Sequence, residues 1–495
     1  MSQQDPDGPP SPPSATPGAR FGDTEPRTWS DRVFWVLLLA AAAVRIPGCF
    51  TELWFDEVAY LWVAHQGTES LIELFTIGQD WVNQHLHTMI LYALGEQDHW
   101  PVYRIHALMA GVGTVILAWL IAVRSGRDAA IIASLLTGGS YLLIHYSSEA
   151  RGYSLVVFFA LASWYTLQRF ADRLRWRWVA LFWLSACLGF LSHLMYIHVL
   201  LAACVWLAHH LARSSRSRLE FAARCAQCLA VPSLFLAMFW VFVVRHLEQY
   251  GSGGESAAGF VLIRSLSYAV GGPGAGPVAY VAAVPAACLF VAATIFLWRS
   301  RSNEWSFYCV VLFVSPSLLF LVKPPDLFVV RYFLVQVAFG LIAASILAAH
   351  LLRGGRTAKS AVIVVVLLLL AGNAVNVTRF LRVGRGGYLQ GLRYMARHTP
   401  GNVVTVTSDS DTRNGYVVDY YTRFVPEKRI VYFNREDYPA TGPMWRISHR
   451  FIDIGDIPVK FFDQHGNQFE LAKTIPFFDL SGMNWYLYKN RRLLP

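Results

Sequence analysis

Between about residues 33 and 377, apolar runs of about the length needed to cross a bilayer, roughly 20 residues each, follow one another with only short polar breaks. Lipid offers the backbone no hydrogen-bond partners, so runs of this kind fold as helices. They lie near 33–50, 104–123, 128–146, 152–169, 177–193, 195–212, 223–244, 276–298, 306–322, 328–350 and 359–377, which makes about eleven spans. Every second connection is basic: Arg124 and Arg127; Arg169, Arg173, Arg175 and Arg177; Arg213, Arg216 and Arg218; Arg299 and Arg301; Arg353, Arg356 and Lys359. By the positive-inside bias these are the cytoplasmic loops. The net charge of +10 is spent in them, so no nucleic-acid partner is expected. The expectation is a multi-pass protein of the inner or plasma membrane, with its N-terminus in the cytoplasm. An odd span count then puts the C-terminus outside, with the loops that hold Asp56, Glu149, Arg245 and Arg331.

Residues 1–30 are rich in Pro, Ser and Gly and lack the apolar stretch of a signal peptide, which reads as a disordered cytoplasmic tail. The transmembrane domain is set at 31–377, with a first outer loop at 51–103. Within that loop the apolar part of 84–100 is too short to span and reads as a helix lying at the surface. Beyond Val377, "GNVVTVTSDS", "KRIVYFN", "DIPVKFFD" and "WYLYKN" are short β-branched and aromatic runs, preceded by helical "LQGLRYMARHT". Residues 378–495 therefore form an extracytoplasmic α/β domain. The seven cysteines lie in or beside apolar segments, which implies packing rather than a disulfide framework, and the spacing of Cys225 and Cys228 is read the same way.

Charge is costly near bilayer depth, about 2.5–3.5 kcal/mol per residue, so the charges that interrupt apolar runs mark a cavity or a partner. Three clusters qualify, all at outer helix ends. "LWFDEVAY" carries Asp56 and Glu57, which on a helix point about 100° apart, so one can face a cavity while the other caps the helix. "HYSSEARGYSL" carries Glu149 and Arg151. The third cluster is Lys323 and Asp326 with Arg331 and Tyr332, in which a guanidinium suited to bidentate phosphate recognition sits beside an aromatic ring. The bland counterparts are a capped helix, a local ion pair, and a lysine snorkelling to headgroups. Asp80, Asn83, His85, His87 and His193 are further polar candidates. Two histidines at i and i+2 face different sides of a helix, which argues against a shared ion. No cofactor is assigned, and a divalent metal stays open.

The ordered set "WFDEVAY", "SSEARGYSL" and "VVRYFL", on this topology, resembles the GT-C superfamily of integral-membrane glycosyltransferases, especially the branch of protein O-mannosyltransferases and lipid A aminoarabinose transferases. The resemblance implies that Asp56 acts at the catalytic centre and that basic residues hold the phosphate of a polyprenyl-phosphate sugar. "NQHLHT" is similar to the family's Asn-His-Pro-Leu segment, with Leu86 in place of proline, which connects Asn83 and His85 to the same site.

Such a transfer breaks the sugar C1 to phosphate-oxygen bond, so it needs a base at the acceptor and cations at the leaving phosphate. Asp56 is expected as base, with Glu57 in support, and with inversion at C1. Arg151, Arg331 and Lys323 are expected at the phosphate, with Glu149, Asn83, His85 and Tyr332 lining the site. The acceptor could be a lipid, a glycan or a protein. Two rival readings remain at this stage: a lipid or ion transporter, whose charges should lie nearer the midplane, and a non-catalytic envelope scaffold.

Overall fold

The computed structural model describes residues 27–75, 83–246, 258–322, 328–450, 457–478 and 480–493. In chain order the helices are α1 (Arg27–Arg45), α2 (Phe55–His65), α3 (His85–Leu94), α4 (Trp100–Ala122), α5 (Arg127–Gly139), α6 (Tyr141–Ser147), α7 (Tyr153–Arg173), α8 (Trp176–Ser192), α9 (Ile197–Ser214), α10 (Arg218–Phe242) and α11 (Ala258–Ala269). They continue as α12 (Pro277–Arg299), α13 (Trp305–Cys309), α14 (Ser315–Val322), α15 (Leu334–Leu351), α16 (Arg356–Val383), α17 (Tyr388–Arg397) and α18 (Tyr416–Thr422).

All eleven expected segments are helical. Seven are long and apolar enough to cross a membrane, and the pair α5–α6, bent by 58°, makes an eighth. The other three are α7, α8 and the α13–α14 stretch. Helix α8 has 17 residues, and the third is equally short. Helix α7 has the length but carries Ser154, Ser163, Thr166 and Gln168, all buried. It is packed against α4, α6, α8, α9 and α15, so those polar groups meet protein rather than lipid. Helix α15 is likewise enclosed, whereas α1, α10, α12 and α16 leave Leu39, Met238, Val281 and Leu368 exposed as the lipid-facing side.

The bend between α5 and α6 frees backbone groups that must find partners. The Tyr141 N–H donates to Asn373 Oδ1 on α16 at 2.7 Å, and the fully buried Arg45 donates to the carbonyls of Thr137 and Gly138. These bonds fix the start of α6, and with it the Glu149–Arg151 turn that follows.

The C-terminal strands are β1 (Val403–Ser408), β2 (Arg429–Tyr432), β3 (Trp445–Arg450), β4 (Lys460–Phe462), β5 (Gln468–Ile475) and β6 (Asn484–Asn490). They form one mixed sheet in the order β2-β1-β3-β6-β5-β4, with β1 parallel to β2 and β3 and the remaining pairs antiparallel. Helices α17 and α18 lie against it. Leu53, Trp54, Phe55, Val58 and Leu61 share one apolar core with Leu392, Met395, Val406, Trp445 and Trp485. The first loop is therefore seated on the sheet, and α2 is held from two sides.

Candidate active site

Helix α2 starts at the end of the first apolar run, and its first turn carries both acids. The structure sends them to different partners. Asp56 is one-fifth exposed and accepts from Arg151 Nη1 at 2.5 Å, with Arg331 Nη2 at 3.6 Å. Three distant segments thus meet at one carboxylate.

Both guanidinium groups rest on aromatic rings. Arg151 lies 4.6 Å from the Tyr153 ring centre, 5.5 Å from Tyr60 and 5.6 Å from Trp54; Arg331 lies 5.7 Å from Tyr153 and 6.0 Å from Trp54. The rings stabilise the cations through their negative faces. Arg151 also stands 3.7 Å from the buried Glu149, which Arg385 approaches to 4.0 Å, so three guanidinium groups meet two carboxylates and leave a net positive site; the Nε atoms of Arg151 and Arg331 are buried donors with no hydrogen-bond partner among the described residues.

Glu57 is fully buried. It accepts from Arg104 Nε at 2.8 Å, Arg104 Nη2 at 2.6 Å, the Ala150 N–H at 2.6 Å and the Trp54 N–H at 3.1 Å. Burial alone would raise its carboxyl, but Arg104 overrides that and holds it below the ordinary value. Where Glu57 was expected beside Asp56 in the chemistry, its oxygens are all engaged, and it ties α2 to α4 and to the turn before Arg151.

Glu149 lies behind the site. Its carboxylate accepts from Trp54 Nε1 at 3.0 Å and from Ser481 Oγ at 2.9 Å, and stands 3.7 Å from Arg151 Nη1. Burial pushes its carboxyl above the ordinary value, with Arg151 and Arg385 pulling against the shift. Ser481 is brought in by Gly482, at φ +114°; a Cβ there would stand 1.9 Å from the Arg385 carbonyl oxygen, so only glycine fits. Arg385 donates to the carbonyls of Gly48 and His145 and to the hydroxyls of Thr51 and Ser148.

Of the remaining expected residues, Asn83 accepts from the Tyr60 hydroxyl at 3.0 Å, which steadies a ring beneath Arg151. Tyr332 neighbours His193, whose ring packs on Tyr153. His85 stacks on Phe75 at 5.0 Å and meets Phe239 edge-on at 5.2 Å, and burial pushes its pKa down to about 4, so it is neutral. That placement is packing between two phenylalanine rings. Lys323 and Asp80 lie outside the described residues. Among the described residues, no group of three or more His, Cys, Asp or Glu is arranged to hold a metal.

Sequence reasoning missed Trp54, Tyr60, Tyr153, Arg104, Gln84 and Arg385. Arg104 did carry a signal, since a lone arginine opening a span demands a partner. Gln84 Oε1 accepts the Gly152 N–H at 2.6 Å and so fixes the backbone beside Arg151, but nothing in its sequence context points to that bond.

The family model of dolichyl-phosphate-mannose-protein mannosyltransferases matches residues 84–240, a stretch that holds Arg104, Glu149 and Arg151. No curated protein sequence matches the chain. Among solved structures, ArnT from Cupriavidus metallidurans in the apo state is similar with a TM-score of 0.51 at 13% identity, over 85% of this chain and 93% of that one. The same protein bound to undecaprenyl phosphate gives a TM-score of 0.49 at 13% identity, over 94% and 99%. The apo oligosaccharyltransferase of Archaeoglobus fulgidus gives 0.51 at 10% identity, over 82% of this chain and 64% of that one, so the chain spans less than two thirds of its length. The helical bundle with the sheet domain set on its first loop has the fold of ArnT and of the archaeal oligosaccharyltransferase, and the family match, over residues 84–240, covers about a third of the chain.

Proposed function

We propose that the protein transfers a sugar from a polyprenyl-phosphate donor to an acceptor at the extracytoplasmic face of the inner or plasma membrane, with inversion at C1. The observation that carries this reading is the Asp56 carboxylate between the Arg151 and Arg331 guanidinium groups, which rest on Trp54, Tyr60 and Tyr153. The dolichyl-phosphate donors named by the matched family support the choice of donor class.

The donor phosphate takes the open N–H groups of Arg151 and Arg331, and its oxygens compete with Asp56 for Arg151. As that ion pair loosens, an Asp56 oxygen is freed to accept from the acceptor hydroxyl. The acceptor hydroxyl then gives its proton to Asp56 while its oxygen bonds to C1 from the side opposite the phosphate. The C1–O bond breaks, its electron pair stays on the lipid phosphate, and the two arginines stabilise the growing charge. Apolar helix faces beside the site hold the prenyl tail. Glu57 positions α2 and touches no substrate, and residues 378–495 act as the extracytoplasmic domain.

The test is purified protein in detergent, radiolabelled polyprenyl-phosphate sugars, and membrane extract as acceptor source. Asp56→Asn should lower transfer by about 10²-fold or more while donor binding persists. Transfer near the wild-type rate in that variant would remove Asp56 from the base role.

A further inference from the structure

Helix α2 has a second face with a site of its own. Tyr60 lies four residues on from Asp56, about 40° round the helix, and shares its side. Leu61, Trp62 and His65 come five, six and nine residues on, about 140°, 240° and 180° round, and line a cleft against α18. The cleft has a cavity volume of about 140 Å³, smaller than the roughly 300–1,000 Å³ of sites that enclose a whole ligand, and it opens to solvent, so it takes one ring-sized unit of a longer molecule. It therefore lies behind the reacting carboxylate and is built jointly by the first loop and the sheet domain.

Its walls alternate ring faces with charged tips. Trp62 is 37% exposed and its ring centre lies 5.0 Å from that of Tyr416, tilted by 41°. Tyr420 forms a further wall, with the Arg423 guanidinium 4.2 Å from its ring centre, and its hydroxyl is buried with no hydrogen-bond partner among the described residues. Glu96 stands 3.7 Å from Arg423, and the exposed Asp419 lies on α18 one turn before it. Ring faces bind C–H surfaces, carboxylates accept from neighbouring hydroxyls, and a guanidinium donates to ring and hydroxyl oxygens. That combination matches a sugar unit. A peptide would need backbone donors and acceptors offered in sequence, and the cleft is lined by side chains of α2, α4 and α18 and of the segment before α4.

We propose that this cleft binds a neutral saccharide unit of an extended acceptor, holding the chain while its end reaches Asp56 on the other face of α2. The part played in acceptor capture rests on the transferase reading above; saccharide binding by the cleft does not.

The test uses the full chain in detergent on an array of linear glucan, mannan, galactan and arabinan oligosaccharides, with a peptide panel alongside, followed by saturation-transfer NMR on any binder. At least one saccharide should bind. Trp62→Ala and Tyr416→Ala should each weaken it about fivefold or more, Trp62→Tyr should restore most of the loss, and the surface change Asp419→Asn should weaken it about threefold. Asp56→Asn should leave binding unchanged, so a protein that binds saccharide yet transfers no sugar refutes the proposed function and keeps the cleft. The cleft assignment is overturned by an array without a saccharide binder, by binding that ignores both Trp62→Ala and Asp419→Asn, or by capture of peptides in place of saccharides.

Discussion

Replacing Glu57 by glutamine separates two readings of an acid that sits next to the proposed base. The carboxylate faces four donors: Arg104 Nε and the Ala150 N–H on one oxygen, Arg104 Nη2 and the Trp54 N–H on the other. A glutamine amide keeps one oxygen and turns an NH₂ toward two of those donors, whichever way it is placed. Two bonds are lost, and the Arg104 guanidinium stays fully buried without a counter-charge. Breaking a buried ion pair from one side costs about 3–5 kcal/mol, against a typical total stability of about 5–15 kcal/mol. The readout is the half-life of inactivation at fixed temperature in detergent, because large membrane proteins unfold irreversibly. Glu57→Gln should shorten it sharply and lower folded yield. The double variant Glu57→Met with Arg104→Met should be less damaged than the sum of the two single changes by about 1–3 kcal/mol. Recovery should be incomplete, since Arg104 also serves the carbonyls of Cys49, Thr51 and Glu52. A Glu57→Gln protein with the wild-type half-life but no transfer would refute the positioning role and return Glu57 to the chemistry.

Three shorter predictions probe the surroundings. Arg331→Ala removes a charged donor pair and should weaken donor binding about 10- to 100-fold, measured with labelled polyprenyl-phosphate sugar; an unchanged donor affinity would count against Arg331 as a phosphate ligand. Gly152→Ala places a Cβ 2.4 Å from the Ser192 carbonyl oxygen, so the turn carrying Arg151 must shift, and turnover should fall about 10²-fold, with wild-type turnover as the contrary result. Glu52, which accepts the Leu389 N–H at 3.0 Å, has its carboxyl raised by burial to about 7. The folded chain then holds a proton that the unfolded chain loses near pH 4.5, so stability should fall as pH rises from about 4.5 through 7. Glu52→Gln should flatten that slope in thermal melts between pH 5 and 8, and an unaltered slope would exclude Glu52 as its source.

The helical frame was legible because lipid restricts the backbone so strongly: all eleven segments read from apolar length are helices, and only the enclosed α7 departs from the apolar pattern. Asp56, Arg151 and Arg331 were legible for a related reason, as charges that interrupt apolar runs stand out against the cost of placing them there. The cage that holds them was not, because tryptophan and tyrosine at helix ends are ordinary in a membrane protein and their sequence positions say nothing about which cation they will meet. The different surroundings of Asp56 and Glu57 were hidden for a different reason. A helix start tells one that adjacent acids diverge, but which of them faces the cavity depends on Arg104, 47 residues further on, and on the Ala150 N–H. The same two partners set the acids apart: the charge of Glu57 is matched inside the fold by Arg104, while Asp56 faces two arginines. An acid already matched has nothing left to offer a substrate, and an acid outnumbered by cations leaves room for a second anion. That excess of one positive charge beside Asp56 is the property by which a donor phosphate would recognise the site.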